Sequence, residues 1–196
     1  MIIPSGYYHK IIGAFGLLLL IGTGAGLNAC TNKCSEGGCE NGGVCVEGTC
    51  ECPPGYSGDR CEKENAPKVI TAKKVKLIKI ARTNAAGREF DAAEYPDVYV
   101  VIRRGLEKVV HTATQLNVKP TQEAELEISN QAFLYPSSEY TIELWDNDKI
   151  SGGDEDDLVA SANFRPWASG NGFPEWLPIS FENGRHEVAI KLEYQW

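Results

Sequence analysis

All seven cysteines of the chain fall between Cys30 and Cys61. Cysteine that dense in so short a stretch means either disulfides or a metal. From Cys34 to Cys61 the only aliphatic side chains are Val44 and Val46. Such a segment cannot bury a core of its own, so cross-links must hold it. Each disulfide in a small secreted domain contributes about 2–5 kcal/mol. Structural zinc takes paired Cys-x-x-Cys ligands or histidine; the stretch has neither. The odd count leaves one cysteine to be explained separately. The pairing of the other six is not fixed by their number. Disulfides also imply an oxidising compartment.

Two runs are more specific. Cys39-Glu40-Asn41-Gly42-Gly43-Val44-Cys45 is followed by Cys50-Glu51-Cys52-Pro53-Pro54-Gly55-Tyr56-Ser57-Gly58-Asp59-Arg60-Cys61. Their order and spacing resemble an epidermal-growth-factor-like (EGF-like) module. The resemblance implies Cys34 bonded to Cys45, Cys39 to Cys50, and Cys52 to Cys61. Gly55 and Gly58 then permit tight turns around Tyr56. Calcium-binding members of that family carry acidic residues ahead of the first cysteine. Here Thr31-Asn32-Lys33 stands there, so the module is expected to be structural, without calcium of its own.

Upstream, His9 and Lys10 precede an apolar run from Ile11 to Ile21, and Gly22, Thr23, Gly24, Ala25 and Gly26 follow. That is the plan of an export signal. The run is short for a permanent membrane span. Leu27-Asn28-Ala29-Cys30 resembles the bacterial lipobox. The resemblance implies cleavage before Cys30 and acylation of its thiol, which accounts for the odd cysteine. An uncleaved signal anchor is the alternative. The expected organisation is a lipoprotein signal peptide at 1–29, a lipidated N-terminus at 30–33 and the EGF-like module at 34–61. A linker follows at 62–67, polar and ending in Pro67, and then a second domain at 68–196.

That second domain reads as strands. Val75–Ile80, Val98–Ile102, Lys108–Thr112, Ala124–Ile128, Tyr140–Leu144 and Leu158–Phe164 are β-rich or alternate. In the last strand Val188, Ile190, Leu192 and Tyr194 share one face, with Glu187, Lys191 and Glu193 on the other. Turn residues lie between these runs and no long helical stripe occurs. The whole chain is therefore expected to be mainly β: a small disulfide module plus an eight-stranded antiparallel sandwich. The sandwich has no cysteine, so it is expected to melt independently of the disulfides.

Acid is concentrated between two of the strands. Asp146, Asp148, Asp154, Glu155, Asp156 and Asp157 crowd together with only Lys149 opposing them. Like charges held close repel, and a bound cation relieves the repulsion. Asp91 and Asp97, spaced by five residues and followed by Val98-Tyr99-Val100, form a second acidic place. Together these resemble the first and third calcium loops of a C2 domain, the calcium-dependent phospholipid-binding β-sandwich. Trp176-Leu177-Pro178-Ile179 resembles a later strand of that family. The resemblance implies calcium held by Asp91, Asp97, Asp146, Asp148 and Asp157. The gap from Asp148 to Asp157 is longer than usual, which makes Asp154 and Asp156 reserve ligands. Calcium takes about six to eight oxygen ligands in flexible geometry, which suits such a set. The competing account is a solvated acidic loop.

Net charge is −8, which argues against a nucleic-acid partner. Lys73, Lys74, Lys76 and Lys79 make a basic run, and Arg103 with Arg104 another; a charged outer sheet face explains both. Ile150 and Tyr95 sit near the expected loop tips. The sequence thus predicts a protein of the cell envelope, anchored in the membrane through lipidated Cys30. Its sandwich would bind phospholipid or another anionic ligand when calcium is bound. The alternative is adhesion to a protein or glycan, with calcium only stiffening the loops. No catalytic motif occurs. His111 and His186 are expected to be surface or pairing residues, so no enzyme is expected.

Overall fold

A computed structural model describes residues 34, 37–83, 87–90, 95–149 and 155–196. The expected signal peptide, Cys30, Asp91, Ile150 and Asp154 lie outside the described residues. No helix among the described residues is long and apolar enough to cross a membrane. Residues Asn32–Trp196 make one compact unit.

The disulfide module has two small hairpins. Strand β1 (Val44–Val46) pairs with β2 (Thr49–Glu51), and β3 (Tyr56–Ser57) with β4 (Lys63–Glu64). Cys34 is joined to Cys45, Cys39 to Cys50, and Cys52 to Cys61, the pairing that the EGF-like resemblance implies. Val44 and Val46 are exposed, so the cross-links replace a core. Arg60 closes the module by donating from Nε and Nη2 to the carbonyls of Gly38 and Gly37.

The second domain is an eight-stranded antiparallel sandwich. One sheet has the order β10 (Asp157–Phe164), β9 (Tyr140–Asp146), β6 (Val98–Arg104), β7 (Glu107–His111). The other has β11 (Trp176–Phe181), β12 (His186–Gln195), β5 (Val69–Lys79), β8 (Ala124–Phe133). Alternation decides which side chains go inward. Val75 and Leu77 of β5 face Ile142 and Leu144 of β9 across a core that also takes Ile102, Val188, Ile190 and Phe181. Each large apolar side chain so buried contributes about 1.5–3 kcal/mol. Phe133, Tyr140 and Phe164 pack edge-on or tilted, 4.8–6.0 Å apart, and seal one end.

Three expectations are corrected. The stretch 62–67 is no free linker. Lys63–Glu64 is a strand of the module, and the Glu64 carboxylate accepts from the amides of Gly170 (2.6 Å) and Gly172 (3.0 Å) in the sandwich. Its polar composition concealed a hydrogen-bonding role. Nor does the sandwich stand apart from the module. Tyr56 of the module meets the Phe173 ring at 5.2 Å, and Phe173 meets Tyr194 and Trp196 at 5.5 and 4.5 Å. Gly55, at φ 92°, is buried beneath that cluster; a Cβ there would lie 2.6 Å from ring atoms of both Phe173 and Trp196. Only glycine lets the module backbone come so close. Third, of the two histidines expected at the surface or in strand pairing, His186 is fully buried and pairs with Phe181, whereas His111 is exposed beside the Tyr99 ring.

The basic run is neutralised on the outer face of its sheet. Lys74 pairs with Glu125 and Glu127 at 2.9 Å, Lys73 with Glu193 at 2.9 Å, and Lys76 lies 4.9 Å over Trp176. Arg103 is bonded to Glu143, and Arg104 to Glu107. Such pairs are worth about 0–1 kcal/mol each, and the basic run they oppose makes no cationic face.

The sandwich therefore has two unlike ends. The module packs at the end where β5 begins and β12 finishes. The acidic residues gather at the other, where β9 finishes and β6 and β10 begin. The length of β5 separates the two by about 33 Å.

Candidate metal centre

Strand register builds the acidic end. Val98 of β6 lies opposite Asp146 of β9, and Asp146 lies opposite Asp157 of β10. Asp146 and Asp157 are thus strand residues at the mouth of a hairpin rather than residues of the loop expected from the sequence. The inward alternation of β9 carries Asp146 into the sandwich, where it is 1% exposed; Asp97, just before β6, is 4% exposed.

Buried carboxylates need partners, since the penalty for an unpaired ion is several kcal/mol. The Asp97 amide donates to Asp146 Oδ1 at 2.7 Å, and the Asn147 amide donates to the Asp97 carbonyl at 2.9 Å. Asp97 Oδ1 accepts from the Asn117 amide at 2.7 Å. Asn117 has φ 52°, a left-handed conformation that asparagine tolerates. It belongs to a third segment, residues 113–118, clipped to β6 through Val98 and Gln115. No acidic residue marks that segment in the sequence, so its part in the site emerges only from the fold.

Asp156 is half-buried and accepts from the Tyr99 hydroxyl at 2.9 Å through Oδ2. Burial first, then this hydrogen bond, pushes the Tyr99 phenol up to about 12. Asp156 Oδ1 is enclosed and has no hydrogen-bond partner. The same holds for Asn147 Oδ1, although its amide nitrogen donates to Thr114 Oγ1 at 3.0 Å. Asp148 is half-buried in the turn after β9, and Asp157 is exposed. Beside Asp157 a polar cleft is lined by Arg88, Glu89, Phe90 and Leu158.

The structure therefore brings together Asp97, Asp146 and Asp157, with Asp148 one turn away, whereas Asp156 is held apart at the Tyr99 hydroxyl, near His111. Among the described residues, no three carboxylates place ligand oxygens within 4.8 Å of one another. The group that does so is Cys34, Cys39 and Cys50, all committed to disulfides. The donor set at the acidic end is nonetheless all oxygen and rich in carboxylate, and it includes enclosed oxygens without a hydrogen. That chemistry fits a hard cation such as calcium. It does not fit zinc, which favours nitrogen and sulfur.

Residues 30–61 match the EGF-like domain family. The disulfide module is an EGF-like domain. Human Fibulin-7 is 49% identical over 37 residues, which cover 17% of this chain and 8% of that protein. Neurogenic locus protein delta of Drosophila melanogaster is 56% identical over 43 residues, 19% of this chain and 5% of its own length. The chain thus matches less than a tenth of either relative. Among solved structures, one titled "Structure of a C2 domain" has a TM-score of 0.41 at 14% identity, covering 65% of this chain and 98% of its own. The SMP and tandem C2 domains of Extended-Synaptotagmin 2 give 0.41 at 18% identity, over 66% of this chain and 27% of theirs. A C2 domain protein from Ramazzottius varieornatus gives 0.39 at 10% identity, over 66% and 89%. The description of the sandwich rests on its own strand order and core, and the EGF-like domain supplies the base on which it is mounted.

Proposed function

We propose that this is an exported, membrane-anchored, non-catalytic protein. Its sandwich, read as a C2-like domain, takes up calcium at the acidic end and binds phospholipid or another anionic ligand there. The anchor is lipidated Cys30, in the cell envelope. Asp97, Asp146, Asp148 and Asp157 would hold the ion, with Asp91, and with Asp154 or Asp156 in reserve. Bound calcium supplies positive charge and open coordination positions for an anionic group. The protein's own part is to hold these carboxylates in place through the amides of Asp97 and Asn117 and the Tyr99 hydroxyl. The observation that carries the reading is the pair of buried acids, Asp97 and Asp146, hydrogen-bonded through the Asp97 amide, with Asp157 opposite Asp146 on the next strand.

Thermal melting of residues 32–196 with calcium, magnesium or chelator tests it. Binding to the native state alone stabilises by about 2.7 kcal/mol when calcium is a hundredfold above its Kd. Calcium should raise the Tm, and magnesium, which demands a tighter octahedron, should hardly do so. Co-sedimentation with anionic vesicles should then depend on calcium. No rise in Tm at millimolar calcium would reduce the acidic end to a solvated loop. A rise in Tm without vesicle binding would favour a protein or glycan ligand.

A further inference from the structure

The end of the sandwich opposite the acids has an apolar surface that the function above does not use. Leu106, at the tip of the β6–β7 hairpin, is 100% exposed; Leu134 and Tyr135, in the turn after β8, are 67% and 53% exposed. The two loops touch, for the Arg104 guanidinium lies 4.0 Å over the Tyr135 ring. The surface is made of one hairpin tip and one turn. A protein partner needs a shaped patch, whereas a lipid interface accepts a projecting leucine without shape complementarity. The tyrosine beside it suits headgroup depth, with its apolar ring and polar tip.

The chain's path points to the same occupant. The turn after β8 is tied to the next loop by the Trp167 amide, which donates to the Pro136 carbonyl at 3.1 Å. That loop holds Gly170, Gly172 and Phe173, which clasp Glu64 and Tyr56 of the EGF-like domain. The apolar patch and the EGF-like domain therefore share one end. The residues ahead of that domain include the apolar run from Ile11 to Ile21 and Cys30.

We infer that Leu106, Leu134 and Tyr135 rest on the lipid bilayer that holds the N-terminus, and that the contact needs no calcium. The inference rests on the membrane anchoring proposed above, but not on the calcium site. It leaves the acidic end pointing away from that bilayer, toward a ligand on an opposing surface.

The test uses the full chain with methyl-labelled leucine, in lipid nanodiscs carrying nitroxide headgroups and with chelator present. Leu106 and Leu134 should lose methyl intensity. Leu116 and Leu158, exposed at the acidic end, are internal controls and should keep theirs. Leu106→Ser with Leu134→Ser should abolish the effect at Tyr135, which is read from its ring resonances, and leave the fold intact. Equal losses at all four leucines, or losses only at Leu116 and Leu158, would overturn the inference while the anchoring stands. A chain that stays free of the discs would overturn the anchoring and this contact together. Adding calcium afterwards reads the acidic end separately.

Discussion

The main-chain amide of Asp97 donates to the carboxylate of Asp146, 49 residues away, at 2.7 Å at the acidic end of the sandwich. One acid's backbone thus positions the other acid's charge. Asp146→Ala should leave that amide buried without an acceptor, at a cost of about 1–3 kcal/mol in apo protein. Asp146→Asn keeps an acceptor oxygen, so its apo Tm should stay near wild type while the calcium-dependent rise is lost. Melting curves of the two variants with and without calcium check this. Glu107→Gln, at the other end, should leave the calcium response unchanged.

Gly55 carries the second expectation. In Gly55→Ala the new methyl group meets Phe173 and Trp196, and its φ of 92° disfavours a side chain. Overpacking of this kind costs about 1–3 kcal/mol. In wild type, reductant should lower the melting temperature of the sandwich, because the EGF-like domain loses its shape and with it the Tyr56–Phe173 contact. The shift on reduction should shrink in Gly55→Ala, whose interface is already loosened.

His186 sets a pH dependence. Its Nδ1 accepts from the Ala81 amide at 3.3 Å, and Nε2 lies 3.8 Å from the Glu182 carboxylate. The Phe90 ring lies 6.4 Å away, and Lys79 and Arg185 are the nearby cations. Burial lowers the His186 pKa from 6.5, Glu182 partly opposes this, and the two cations reinforce it. The folded chain therefore prefers neutral imidazole. The stability due to that preference is full above about pH 6.5, the unfolded value, and declines as pH falls through the lower folded value. Unfolding measured between pH 8 and 5 should show this slope, and His186→Gln should flatten it.

Cys30 is tested by mass. The membrane fraction should yield a mature chain that begins at a lipid-modified Cys30. Cys30→Ser should release or mislocalise the protein with all three disulfides intact. A membrane-bound protein still carrying Met1 would identify an uncleaved anchor instead.

The strands were legible because alternation is a local signal. Val188, Ile190 and Leu192 declare their face within five residues, and the cysteine spacing declares the EGF-like domain. What stayed hidden depends on contacts distant in sequence. Nothing local tells Glu64 that Gly170 and Gly172 will offer it two amides, or tells Asn117 that it will cap Asp97. The burial of His186 is hidden too, because a charged turn, Glu182 to Arg185, precedes its strand. That turn folds back, and Arg185 Nη2 donates to the Thr83 carbonyl at 2.6 Å, which closes the histidine in. Asp146 and Asp157 were legible as a pair but placed in a loop. Register, which sequence does not report, makes them facing residues of two strands.

One consequence of β5 is mechanical. It runs from the EGF-like end to the acidic end, hydrogen-bonded to β12 on one side and β8 on the other. Those bonds lie across the strand direction. Tension applied between the N-terminus and a ligand at the acidic end runs along β5, so it loads the ladders together in shear rather than peeling them one bond at a time. A body gripped at these two ends resists pulling along the axis on which its two attachments would pull.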